Sequence, residues 1–190
     1  MQVSSHWLNE NSISFRFSAP ASSALSQRIA ACREYLLESF SQHIEVAIAG
    51  YRDLFIEFRW QALISLSNHP EKLDNVVESM RDALETFDMG AQREAPMLVV
   101  PVLYDVRVAP DLAAVASYAD CSIDKVVEIH TSGVYTVCAL GFAPGFAYMG
   151  FVDSRIAMPR QESPRARVHK GSVAIAGQQT GIYPADSPGG

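Results

Sequence analysis

Apolar positions along the first ninety residues recur with two different periods. In "SISFRFS", Ile13, Phe15 and Phe17 alternate with polar neighbours, the period of two that a half-buried strand requires. From Ser22 the interval lengthens: Leu25, Ile29, Cys32, Leu36 and Phe40 recur every three or four residues, on one face of a helix that Ser22 or Ser23 can cap. Alternation returns at Ile44, Val46 and Ile48 and again at Leu54, Ile56 and Phe58, predicting a hairpin across the short turn from Gly50 to Asp53. Pro70 suits the opening turn of a second helix, with Leu73, Val76 or Val77, Met80, Leu84 and Phe87 on its apolar face and Gly90 near its end. "MLVVPVLY", residues 97–104, predicts a further strand. The resulting order, β-α-β-β-α-β, is that of a ferredoxin-like α+β sandwich.

Beyond Tyr104 the texture changes to two short helical pieces, "PDLAAVASYAD" and "SIDKVVEIH", and then to a β-rich region dense in Gly and Pro. A second domain is expected there, which divides the chain into 1–95 and 96–190. The two helical pieces have the outline of a helix-turn-helix, but the second carries only Lys125, between Asp124 and Glu128, a poor surface for phosphate.

The uncharged run from Val134 to Val152 has the length of a membrane span. Its centre, "GFAPGFAYMG" (141–150), rules that out: Pro144 removes a backbone donor, and each interior glycine costs about 1 kcal/mol relative to alanine in a helix. The run therefore reads as strand and turn. Glycine there lets backbone approach backbone or ligand, while Phe142, Phe146 and Tyr148 supply packed core or a stacking surface, with Pro144 in the turn between them.

Composition narrows the function classes. With 48% hydrophobic and 19% charged residues in 190, the chain has the make-up of a globular protein, and a net charge of -6 excludes a general nucleic-acid binder. Three widely spaced cysteines, Cys32, Cys121 and Cys138, suggest neither a disulfide framework nor a zinc site. "MQVSSHWLNENS" has no basic segment leading into an apolar one, so a conventional signal peptide is not expected, and a reduced cytoplasmic setting fits. The five histidines show no HxH or HExxH spacing, so no metal site is expected. No GxSxG elbow and no Walker loop is present.

Positive charge is concentrated in one place. Arg155, Arg160, Arg165, Arg167 and Lys170 fall within sixteen residues of a chain with only 15 Lys and Arg in total. Arginine presents a planar fork of donors matched to carboxylate or phosphate, so "PRAR" with Arg165 and Arg167 is either an anion clamp or the solvent face of a strand. "SVAIAG" reads as a buried strand leading to "QQTGIYP". There Gln178, Gln179, Thr180 and Tyr183 can orient a small ligand or serve turn chemistry. His130, at the end of a helical segment, is either a cation favoured by the helix dipole or a group pointing into the β domain's pocket.

Three segments, "PDLAAVASYADCSIDKVVEIH", "GFAPGFAYMG" and "MPRQESPRARVHKGSVAIAGQQTGIYPADSPGG", together resemble the family of 5-oxoprolinase B subunits. This is also known as the Kip-type sporulation kinase inhibitor or allophanate hydrolase subunit 1 family, with carboxyltransferase subdomains C and D. The resemblance is strong over 96–190 and weak before it. It implies a ferredoxin-like N-terminal domain joined to a cyclophilin-like β-barrel. The implied function is that of the B component of an ATP-dependent lactam hydrolase that opens 5-oxo-L-proline to L-glutamate. Such a component is inactive alone and works with a paired C-type partner and a separate A-type partner. ATP is then used by the complex, with Arg165 and Arg167 near a phosphate or the substrate carboxylate. The resemblance also admits a regulatory inhibitor that binds a sensor histidine kinase, and a urea-type carboxyltransferase component. Three departures stand out: "YDVRVAPDL" lacks the family's usual glycine pair, "RVHKG" places His169 and Lys170 where a small residue is usual, and the family continues past "SPGG" with strands that complete the barrel.

Overall fold

The computed structural model describes residues 1–67, 69–90 and 97–189, and the chain divides into two compact units, Met1–Arg93 and Glu94–Gly190. The expected boundary at 95/96 lies outside the described residues. Among the described residues the architecture is mixed, with helices and three antiparallel sheets. Among the described residues no helix is long and apolar enough to cross a membrane.

In the first unit, strands β1 (Val3–Trp7), β2 (Ser12–Phe17), β3 (Ile44–Ala49) and β4 (Asp53–Phe58) form one sheet in the order β1-β2-β4-β3. Helix α1 (Ser23–Ser39) begins where expected: the Ser22 hydroxyl accepts from the Leu25 N–H at 3.2 Å, satisfying a donor that the first turn leaves free. Its buried stripe of Leu25, Ile29, Cys32 and Leu36 is the one the spacing predicts. The predicted hairpin forms as β3 and β4, with the Gly50 N–H donating to the Asp53 carbonyl at 2.8 Å. Two further helices follow, α2 (Trp60–Ser67), which the pattern did not announce, and α3 (Pro70–Thr86). Phe15, Phe17, Ile29, Leu54, Ile56, Met80 and Leu84 are fully buried in one core, each such side chain contributing roughly 1.5–3 kcal/mol.

The strand expected at 97–104 does not form. The place beside β2 is taken by β1, paired antiparallel from Val3↔Phe17 to Trp7↔Ile13. β1 is anchored by the Val3 N–H donating to Glu85 Oε1 at 2.7 Å and by Trp7 stacked on Phe58. With that edge filled, apolar alternation alone gives 97–104 no ladder to join, and Pro101 lacks the donor a central strand needs. Met97, Leu98, Val99 and Leu103 are exposed instead.

In the second unit, α4 (Leu112–Tyr118) and α5 (Ile123–Ser132) coincide with the two predicted helical pieces, and the Ser122 hydroxyl caps α5. Their buried faces, Leu112, Ala116, Val126 and Ile129, pack with Val152 and with Ile156 of a short 3-10 turn. Strands β5 (Thr136–Leu140), β6 (Ala147–Gly150), β8 (Val173–Ala176) and β9 (Gln179–Ile182) form a sheet in the order β5-β6-β9-β8. β7 (Arg165–Val168) pairs separately with β10 (Ser187–Gly189). "GFAPGFAYMG" is the turn and return strand of the β5–β6 hairpin, which is why it carries glycine: Gly145 has φ +83°, a left-handed conformation that costs glycine little.

Candidate functional site

A cavity of about 140 Å³ opens in the second unit over β6, β8 and β9. It follows from small residues beside large ones. Ala174, Ala176 and Gly181 leave space above the sheet, and rings close it: Phe146 lies edge-on to Phe142, Tyr148 and Tyr183, with centroids 5.5, 4.8 and 5.4 Å away. Gly181 is needed there, because a Cβ at that position would lie 2.9 Å from the Phe146 ring and 3.3 Å from the Ala147 carbonyl oxygen. Phe142, at the rim, holds φ at +67° although it is not glycine, a conformation that costs free energy and is held by its surroundings.

Polar groups at the cavity are few. Thr180 is buried and, among the described residues, its Oγ1 has no hydrogen-bond partner, but it pairs with Met149 and Ile175, so its side chain lies on the sheet face opposite Tyr148, Ala174 and Gly181. Gln179 and Arg160 line the space. Of the residues singled out in the sequence, Tyr183, Phe142, Phe146 and Tyr148 line the cavity, and Thr180 reaches it only through its backbone. Pro144 and Gln178 are exposed away from it. Gln178 belongs to the turn, where its carbonyl accepts from the Val152 N–H, and of the two glutamines singled out strand alternation brings only Gln179 into the lining.

The two arginines of "PRAR" lie elsewhere and are already engaged. Arg165 forms a two-point ion pair with Asp111, at 2.7 and 2.6 Å, and Gln161 donates to the same carboxylate at 2.9 Å. Arg167 binds the Asp186 carboxylate, which also accepts the Lys170 N–H at 2.7 Å. That N–H, and then Arg167, hold the Asp186 carboxyl below its ordinary range. Arg155 pairs in turn with Asp153. Arg160 is left as the one arginine of the four whose guanidinium, among the described residues, has no carboxylate partner, and it is the one at the cavity. Sequence spacing does not separate it from its neighbours, because the carboxylates that neutralise Arg165 and Arg167 lie 54 and 19 residues away.

His130 belongs to the helical part of this unit. It is buried, its Nδ1 hydrogen-bonds the Tyr104 hydroxyl, and its Nε2 has no partner. The Tyr135 hydroxyl donates to the His130 carbonyl at 2.8 Å. Burial lowers the pKa of the imidazole and raises those of both phenols, Tyr135 to about 12, so all three are neutral near pH 7. His130 is not among the cavity-lining residues.

These features define an α+β protein with antiparallel sheets and a small cavity in its β-rich unit, rimmed by aromatic rings and by Arg160, which has no carboxylate partner among the described residues. Residues 3–190 match the family described as carboxyltransferase domain, subdomain C and D, and the chain belongs to that family. It is 42% identical over 116 residues to the 5-oxoprolinase B subunit of Bacillus subtilis (strain 168), covering 61% of this chain and 47% of that protein. It is 32% identical over 184 residues to the 5-oxoprolinase B subunit of Escherichia coli O157:H7, covering 96% and 79%. Among solved structures it is similar to TTHA0988, with a TM-score of 0.74 at 31% identity over 95% of this chain and 33% of that one. The Kluyveromyces lactis urea amidolyase shares the fold at a TM-score of 0.67 and 18% identity, over 99% of this chain and 12% of that one. The chain thus spans about half the length of the Bacillus relative and a third of the TTHA0988 chain.

Proposed function

We propose that this chain is the B component of an ATP-dependent 5-oxoprolinase, opening the lactam of 5-oxo-L-proline to L-glutamate with a paired C-type partner and a separate A-type partner, in the cytoplasm. In this reading the first unit is a ferredoxin-like sandwich whose outer strand comes from the start of the chain. The second is the corresponding part of a cyclophilin-like barrel.

The observation that carries the reading is the cavity, taken with the names of the relatives. A lined space of about 140 Å³ is below the roughly 300–1,000 Å³ of sites for drug-sized ligands, but suits a single small ring bearing one charge. Arg165 and Arg167 hold the chain's own carboxylates, and the lined space is small for a nucleoside triphosphate, which supports a reading in which the complex uses ATP held by another component. The exposed apolar run at Met97, Leu98 and Val99 supports a chain that works as part of an assembly, since solvent rarely faces such a contiguous stretch.

The test is reconstitution by omission. The chain is mixed with its purified A-type and C-type partners, and glutamate is measured with each protein left out in turn. The expected result is glutamate only from the full mixture. Undiminished product without this chain would remove it from the reaction.

A further inference from the structure

Alternation along β9 puts Gln179 and Gly181 on one face of the sheet and Thr180 and Ile182 on the other. Gly181 pairs with Tyr148 and Ala174, and Gln179 with Gly150 and Ala176, so the Gln179 side chain shares the face that floors the cavity. It is half-buried, and its cross-strand neighbours, a glycine and an alanine, bring it no polar group. Among the described residues its amide has no hydrogen-bond partner, whereas Gln161 of the same unit donates to Asp111 at 2.9 Å. The shape of the space is a second, independent observation. Ala174 and Ala176 keep the floor low, and the Phe146 ring, with Tyr148 and Tyr183 packed edge-on to it at 4.8 and 5.4 Å, walls it on the side away from Gln179. A primary amide therefore faces a low apolar floor and an aromatic wall within about 140 Å³.

We propose that Gln179 is the specificity-determining residue of this cavity, reading the amide edge of a small lactam whose ring lies against Phe146 over Ala174 and Ala176. In a five-membered ring the amide is held cis, so its C=O and N–H point the same way. A glutamine side chain presents an N–H and a C=O side by side, and meets that edge with two antiparallel hydrogen bonds. An open-chain secondary amide is trans, its C=O and N–H point in opposite directions, and it can offer only one of the two. An opened lactam, with a carboxylate and an ammonium in place of the amide, has no such edge, so the same residue separates a lactam from its hydrolysis product. Urea displays a matching edge but has no ring to lie against the aromatic wall. The identity of the lactam as 5-oxo-L-proline rests on the proposed function. The lactam site itself does not.

The experiment is a chemical-shift titration of the full chain with 2-pyrrolidinone, with urea, and with N-methyl-2-pyrrolidinone, which keeps the ring and carbonyl but lacks the N–H. Kinetics of the reconstituted complex run alongside. The unaltered chain is expected to bind 2-pyrrolidinone about tenfold more tightly than either other probe, the scale of the hydrogen bonds at stake. Gln179→Met, which keeps the length and loses both polar atoms, is expected to bring the two pyrrolidinones to equal affinity while leaving the N-methyl form's affinity and the Tm unchanged. In the complex the same variant should raise KM for 5-oxo-L-proline about tenfold, with kcat changed less. A glutamine of purely structural importance would alter the Tm and leave the ratio of the two pyrrolidinones as it was. Equal binding of the two by the unaltered chain, a preference that survives Gln179→Met, or urea bound as tightly as 2-pyrrolidinone would overturn the assignment. Any of these, with glutamate still formed by the full mixture, would leave the proposed function standing. A Gln179-dependent preference for 2-pyrrolidinone in a chain whose full mixture forms no glutamate would sustain the lactam site and refute the oxoproline reading.

Discussion

Arg165 and Asp111, 54 residues apart, meet fork to fork at 2.6 and 2.7 Å, tying strand β7 to the N-cap position of helix α4. The pair is half-exposed, so solvent screens it, and its contribution is at the level of surface ion pairs, about 0.5–1 kcal/mol. Arg165→Ala and Asp111→Ala are therefore expected to destabilise the chain modestly. A double-mutant cycle in urea unfolding should give a coupling of that size, and KM for substrate should stay unchanged. Zero coupling would dissolve the tie, and a large rise in KM with Arg165→Ala would return that residue to substrate binding.

Gly181 is expected to tolerate no side chain. Gly181→Ala places a Cβ 2.9 Å from Phe146 and 3.3 Å from the Ala147 carbonyl oxygen, and the latter belongs to the β6–β9 ladder and does not yield. Overpacking of this kind costs about 1–3 kcal/mol. Thermal unfolding should show a lowered Tm, and the near-ultraviolet circular dichroism of the Phe146–Tyr183 cluster should change. A variant with unaltered Tm and aromatic signal would show that the ring has room to move.

His130 sets a pH dependence. Its folded pKa lies below the ordinary 6.5 because burial disfavours the charged ring, so the unfolded chain takes up a proton that the folded chain refuses. The associated stability is complete above about pH 6.5. It declines as pH falls from there towards the folded pKa. Urea midpoints measured from about pH 8 to about pH 5 should decrease across that window, and the decrease should be smaller in His130→Gln, which cannot be protonated. An identical profile in the variant would mean that other groups govern the decline.

Much of this architecture could be read from the residues where local pattern and tertiary context agree. Helix α1 announces itself because Ser22 caps it and Leu25, Ile29, Cys32 and Leu36 share a face. The β3–β4 hairpin does so because both strands alternate. Strand β1 does not, since of Val3, Ser5 and Trp7 on its inward face only Val3 is both apolar and buried. Residues 97–104 mislead for the opposite reason, having strand composition without a partner. At the cavity, the density of glycine and rings points to Phe142, Phe146 and Tyr148, and the polar groups past "SVAIAG" point to Thr180 and Tyr183. Which arginine is free depends on Asp111 and Asp186, and pairing over such separations is not written in any local spacing.

The central claim, that this chain serves lactam opening and not a urea-type carboxyl transfer, is tested most directly by substrate-dependent ATP hydrolysis in the reconstituted complex. Phosphate release is followed with 5-oxo-L-proline or with urea as the only substrate, and glutamate is quantified in parallel. The account predicts phosphate and glutamate rising in step with 5-oxo-L-proline, no response to urea, and loss of the response when this chain is omitted. Phosphate release driven by urea, or by 5-oxo-L-proline equally well without this chain, would contradict it.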